Sequence, residues 1–89
     1  MLEQNYPNPF NPLTTIQYQL PEPRYLELKV YNIYGQKIRT LLNENKSAGQ
    51  YEVQWDGRDD LGRDVASGVY VYRIQAEDFV QSRKMLLMR

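Results

Sequence analysis

An antiparallel β-sandwich is the fold class this sequence predicts, on three observations. Apolar and polar residues alternate with period 2 through most of the chain. Gly, Pro and Asn signals interrupt that alternation at short intervals, and no stretch carries an apolar stripe of period 3.6 over three turns. Eighty-nine residues make one small domain, of a size that buries about 60–65% of the surface exposed by its unfolded chain. The spacing of the signals predicts about seven short strands in an all-β domain.

The elements follow in order. Residues 1–12 are a Pro-rich opening segment containing Asn5-Tyr6-Pro7-Asn8-Pro9-Phe10-Asn11-Pro12. Each proline lacks an N–H, holds φ near −65° and biases the residue before it (Tyr6, Asn8, Asn11) toward extended backbone. Such a strip cannot enter the middle of a sheet. Tyr6 and Phe10 are expected to pin it to the sandwich, covering an edge otherwise open to pairing.

Residues 13–89 hold the sandwich itself. Ile16, Tyr18 and Leu20 alternate with Gln17 and Gln19, and Pro21-Glu22-Pro23 ends that strand. Leu26, Leu28 and Val30 alternate with Glu27 and Lys29 in a second. A tight turn follows at residues 32–36, with Gly35 where a positive φ is needed. Residues 37–42 return as a third strand with Ile38 and either Leu41 or Leu42 inward, before a polar loop over 43–49. Tyr51, Val53 and Trp55 define a fourth strand. The stretch 56–64 is rich in Asp and Gly and reads as turns; Ser67-Gly68 then launches residues 69–76, with Tyr70, Tyr72 and Ile74 in one phase. Glu77-Asp78 leaves room for a hairpin into residues 79–88.

Composition excludes several functions. Eleven basic and eleven acidic residues give a formal net charge of zero, which counts against a nucleic-acid binder or an electrostatic membrane anchor. With no cysteine and no histidine, disulfides, thiolate metal sites and the commonest general base are absent. No enzyme, metal or cofactor is expected. The first twenty residues show no basic cluster followed by an apolar run, so no export signal is expected there. The apolar run at residues 85–88 is far shorter than the about 20 residues that cross a bilayer.

Four motifs invite sharper readings. Pro9 to Pro12 matches a Pro-x-x-P ligand but lacks a flanking basic residue. The loop at 56–64 fails the calcium-loop pattern, because Arg58 and Leu61 stand where an oxygen ligand and a Gly are required. Asp59-Asp60 and Glu77-Asp78 are neighbouring carboxylates, and neighbours in extended chain point to opposite sides. Asn45-Lys46-Ser47 is a glycosylation sequon that chance produces easily. Eight tyrosines and Trp55 could stack sugars as a carbohydrate-binding module. Most lie in the inward phase of their strands, which points to core packing. At the end, Arg83-Lys84 precede Met85-Leu86-Leu87-Met88 and Arg89. This closing strand reads either as an edge blunted by charge or as a terminal tag that another molecule recognises.

Taken in order, these pieces resemble the C-terminal sorting domain of the type IX secretion system. The strip from Asn5 to Pro12 with Thr14-Thr15-Ile16 is similar to that family's opening motif. Further matches are Val30-Tyr31-Asn32 with Gly35-Gln36, Ala48-Gly49-Gln50-Tyr51 through Trp55-Asp56, Ser67-Gly68-Val69-Tyr70 with Tyr72-Arg73, and Arg83-Lys84-Met85-Leu86-Leu87. The resemblance covers about residues 4–89. It implies an immunoglobulin-like sandwich at the C-terminus of a secreted bacterial protein, as in the Bacteroidetes. The cargo lies N-terminal to it and brings its own export signal. Outer-membrane machinery reads the domain in the periplasm, and a sortase-like peptidase can remove it at the cell surface. The resemblance places sorting recognition on Lys84, Met85, Leu86, Leu87, Met88 and Arg89, and the opening motif on Tyr6, Pro7, Asn8, Pro9, Phe10, Asn11 and Pro12. Strand addition at an open edge is then the expected mode of recognition, and the same edge would allow self-association. The segment from Trp55 to Gly62 with Ser67-Gly68-Val69-Tyr70 equally resembles the Ig-like domain of flagellar hook-capping proteins, which implies an assembly module instead.

Overall fold

Each run of alternation becomes a strand in the computed structural model, which describes residues 1–89. The strands are β1 (Thr14–Leu20), β2 (Arg24–Tyr31), β3 (Lys37–Lys46), β4 (Gly49–Trp55), β5 (Gly68–Ala76) and β6 (Phe79–Leu87). They form two antiparallel sheets, a four-stranded one in the order β3-β2-β5-β6 and a two-stranded one in which β1 pairs with β4. The result is an immunoglobulin-like antiparallel β-sandwich. About seven strands were expected and six continuous ones form. The place of a seventh is taken by residues 2–6, which bridge β1 only at Leu2–Tyr18 and Tyr6–Thr15.

The inward phases lie where alternation puts them. Ile16, Tyr18 and Leu20 from β1 meet Leu26, Leu28 and Val30 from β2, and Tyr70, Tyr72, Ile74 and Ala76 from β5. Trp55, at the end of β4, is fully buried between Phe10 and Tyr70, with ring centroids 5.7 and 5.4 Å away. Its indole N–H donates to the carbonyl of Arg58 at 2.9 Å, so the ring is buried with its polar atom satisfied.

Two sequence expectations need correction. Residues 43–46 belong to β3 rather than to a loop, pairing with residues 24–27 of β2. An edge strand needs only one partner and can keep Asn43, Glu44 and Asn45 in solvent, so a polar run remains compatible with a ladder. The choice between Leu41 and Leu42 has no single answer. Leu28 faces Leu42 while Lys29 faces Thr40, so Leu41 is the additional residue of a bulge, and both leucines are half-buried. The turn after β2 forms as expected, with Gly35 at φ 81°.

Candidate functional site

The opening strip crosses from one sheet to the other. Its first residues lie along β1: Glu3 N–H donates to the Gln17 carbonyl at 2.9 Å, and Tyr6 and Thr15 exchange two backbone bonds of 2.9 Å. Further on, the strip runs beside β6. Phe10 N–H donates to the Leu86 carbonyl at 3.0 Å, Met88 N–H donates to the Phe10 carbonyl at 2.9 Å, and Leu86 N–H donates to Asn8 Oδ1 at 2.9 Å. The bridge between Phe10 and Leu87 is parallel. Residues 8–10 therefore occupy the outer edge of the closing strand at the positions singled out in sequence.

A buried polar group organises the bend between the two halves. Asn5 is only 2% exposed; its amide Nδ2 donates to Thr14 Oγ1 at 2.9 Å, and Thr14 Oγ1 donates to the Pro7 carbonyl at 2.9 Å. The Asn5 N–H donates to the hydroxyl of Tyr72 at 2.8 Å, and that hydroxyl donates to the Glu3 carbonyl at 2.7 Å. One buried phenol in the centre of β5 thus serves two backbone groups of the strip. Burial pushes the Tyr72 hydroxyl above its ordinary pKa, so it holds its proton and keeps donating. Leu2, fully buried, adds an apolar anchor, and Arg83 Nε donates to its carbonyl at 2.8 Å.

The singled-out residues divide by role. Phe10 is buried against Trp55, whereas Tyr6 is 80% exposed. The expectation that both rings pin the strip is corrected: Tyr6 is held by its backbone, because the strand-like pairing with Thr15 turns its side chain outward. Pro7, Asn8, Pro9, Asn11 and Pro12 are exposed. In the closing strand Met85 and Leu87 are core, Lys84 is exposed, Leu86 is half-buried and Met88 is exposed. Arg89 is tied down. Its guanidinium donates to the carbonyls of Val65 (2.7 Å) and Gly57 (2.5 Å), and its N–H donates to Ser67 Oγ at 2.9 Å.

Sequence reading missed Leu2, Asn5 and the Tyr72 hydroxyl as anchors. Nothing local marks them, since the bonds from Leu2 N–H to Gln81, from Asn5 N–H to Tyr72 and from the Tyr72 hydroxyl to Glu3 each span 67 or more residues. The tyrosines also behave less uniformly than expected. Tyr18, Tyr70 and Tyr72 are buried, while Tyr6, Tyr25 and Tyr34 are exposed, Tyr25 near the start of β2 and Tyr34 in the turn beyond its end rather than in a row. The loop carboxylates serve the backbone: Asp59 accepts from the N–H groups of Leu61 and Arg63, both at 2.9 Å, and Asp60 accepts from Thr40 N–H on the edge of β3. Those bonds, the one from Arg63 foremost, hold the Asp59 carboxyl below its ordinary pKa.

The fold and the loop after β4 define an immunoglobulin-like module. Residues 12–78 match the FlgD Ig-like domain family, and the chain belongs to that family. Similar solved structures include dimeric latent PorU from Porphyromonas gingivalis, 17% identical with a TM-score of 0.74, covering 96% of this chain and 9% of that one. FlgD from P. aeruginosa is 20% identical at a TM-score of 0.65, over 83% of this chain and 57% of that one. PorZ, described as an essential bacterial surface component of the type-IX secretion system of Porphyromonas gingivalis, is 24% identical at 0.62, over 97% of this chain and 11% of that one. At these identities the likeness concerns the fold, and the chain spans less than two thirds of each neighbour. No curated protein matches it.

Proposed function

We propose that this domain is a non-catalytic sorting signal, carried behind a cargo protein and read by the type IX secretion machinery for export across the outer membrane. The observation that carries this reading is where the family match stops. Residues 12–78 leave out both the opening strip and the closing strand, the two elements that the structure joins at Phe10 and Leu87. The resemblance to sorting domains assigns its recognition residues, Lys84 to Arg89, and its opening motif to those two elements. PorU and PorZ align over 96% and 97% of the chain, against 83% for FlgD. On this reading the domain passes through the periplasm with its cargo, reaches the cell surface and is a substrate for a sortase-like peptidase. An assembly role of the hook-cap kind is the second reading, favoured by the family match itself.

A fluorescent protein directed to the periplasm and followed by residues 1–89 tests the choice in a host with type IX secretion. The expected result is extracellular fluorescence that disappears in a secretion-deficient strain and in a fusion truncated after Arg83. Folded fusion retained in every strain, including a second and closer host, would favour the assembly module.

A further inference from the structure

We infer that the closing strand is read through its outward face and not by strand addition at its edge, and that the reader is a protein surface presenting a carboxylate beside apolar side chains. The inference rests on the sorting reading and specifies its recognition surface. Three of the four sides of the strand's C-terminal half are already taken. One edge pairs with β5, register Val69–Leu86 and Val71–Lys84. The other edge is satisfied by Asn8 and Phe10. Met85 and Leu87 face the core, and Arg89 is fastened to the loop at Gly57 and Val65. Only the side facing away from the core is free, and it presents Lys84 and Leu86.

That side is unlike the outer face of the two-stranded sheet, which is polar, with Thr15, Gln17, Gln19, Gln50, Glu52 and Gln54. Around the closing strand the outer face instead carries Val69, Val71 and Leu86, with Val69 42% exposed. On a chain whose formal charge is zero, the outer face of the four-stranded sheet bears Lys29, Lys37, Arg73 and Lys84 against the single carboxylate of Glu27. Lys29 is paired with Glu27 at 3.2 Å and Lys37 with Asp60 at 3.6 Å. Arg73 and Lys84 are in no ion pair. Arg73 faces Ser82, so Lys84 is its diagonal neighbour, about 7–8 Å away. The guanidinium lies 4.7 Å from the centre of the Tyr31 ring and donates to the Tyr31 hydroxyl at 2.8 Å, which fixes it in place. A depression of about 310 Å³ lies between Tyr31, Val71, Arg73 and Ser82. Two unneutralised cations beside an apolar patch are the complement of an acidic side chain set among apolar ones.

The same fusion tests this. Arg73→Gln with Lys84→Gln removes two positive charges; Gln17→Glu with Gln54→Glu, on the polar face, changes net charge by the same amount. The first pair is expected to lower export by about tenfold or more, and the second to leave it within about twofold. Leu86→Ser is expected to act like the first pair. Lys84→Gln alone, at an exposed side chain, serves if the double variant fails to fold, as judged by thermal unfolding of the purified domain. Export unchanged by the face variants, with the parent fusion exported, overturns the inference and leaves the sorting reading standing. Asn8→Ala, which loosens the strip over the edge, separates the two modes: a several-fold gain in export would mean that the edge is read. Cosedimentation with vesicles of anionic phospholipid, abolished by Lys84→Gln, would replace the protein partner with a membrane surface. Should the parent fusion not be exported by any host, the inference falls with the sorting reading.

Discussion

Tyr72→Phe removes one oxygen from the centre of the protein and tests how much of the opening strip's anchoring one buried hydroxyl carries. The ring is fully buried, and phenylalanine fills nearly the same space, so no cavity forms and packing is preserved. What changes is hydrogen bonding. The Asn5 N–H loses its only acceptor in a buried setting, while the Glu3 carbonyl loses a donor at a partly buried one that water can reach. Leaving a buried donor unsatisfied costs about 1–3 kcal/mol, and an ordinary hydrogen bond about 0.5–1.5 kcal/mol. Together they predict a loss of about 2–4 kcal/mol, large against the 5–15 kcal/mol that holds a typical domain together. Urea unfolding followed by Trp55 fluorescence would show the midpoint fall at constant slope, because the buried area is unchanged. Amide exchange would show Tyr6, Phe10 and Met88 losing protection before the β2–β5 ladder does. Tyr34→Phe, at an exposed ring, should leave both measurements unchanged. A loss below about 0.5 kcal/mol, or uniform loss of protection across the sheet, would refute the anchoring argument.

Other expectations can be checked on the same purified domain. Phe10→Ala should cost about 3–5 kcal/mol in urea unfolding, since it empties a fully enclosed site against Trp55. At high pH, burial first, then the nearby Tyr51, pushes Tyr18 up to about 12, and burial also raises Tyr70 and Tyr72. These groups ionise in the unfolded chain near pH 10 while the folded chain still holds their protons. Stability is therefore full below about pH 10 and is lost as pH rises from there toward 12. Tyrosinate absorbance recorded alongside unfolding would show the two transitions coinciding. In acid, the lowered Asp59 carboxyl contributes stability above its ordinary pKa that is lost as pH falls through the folded value, and Asp59→Asn should flatten that acid limb. Gly57 has a φ of 74°, and a Cβ there would lie 2.8 Å from Arg89 Nη2. Gly57→Ala should cost about 1–2 kcal/mol from the backbone alone and displace the guanidinium. Combining it with Arg89→Ala should cost less than the sum of the single changes, as a double-mutant cycle would measure.

The sheet content and strand phases of this protein are local properties, and the residues state them. Alternation at Ile16-Tyr18-Leu20, Leu26-Leu28-Val30 and Tyr70-Tyr72-Ile74 determines which side chains go inward, because each strand exposes opposite faces to core and water. Pro21-Glu22-Pro23 and Gly35 determine where strands stop, since ring closure and positive φ act on one residue at a time. Edge status is different, because it depends on neighbours distant in sequence. Asn43, Glu44 and Asn45 look like loop until β2 is placed beside them, and the Leu41 bulge exists only as a mismatch between two strands. The opening strip could be read as unfit for a sheet interior. That it closes the edge of β6, 78 residues away at Asn8–Leu86, was decided only by the packing of the two sheets. So was the fate of the last residues. Lys84 to Arg89 read as a free tag or an ordinary strand with equal ease, and tertiary contacts bury Met85 and Leu87, fasten Arg89 and leave Lys84 and Leu86 on the only open side.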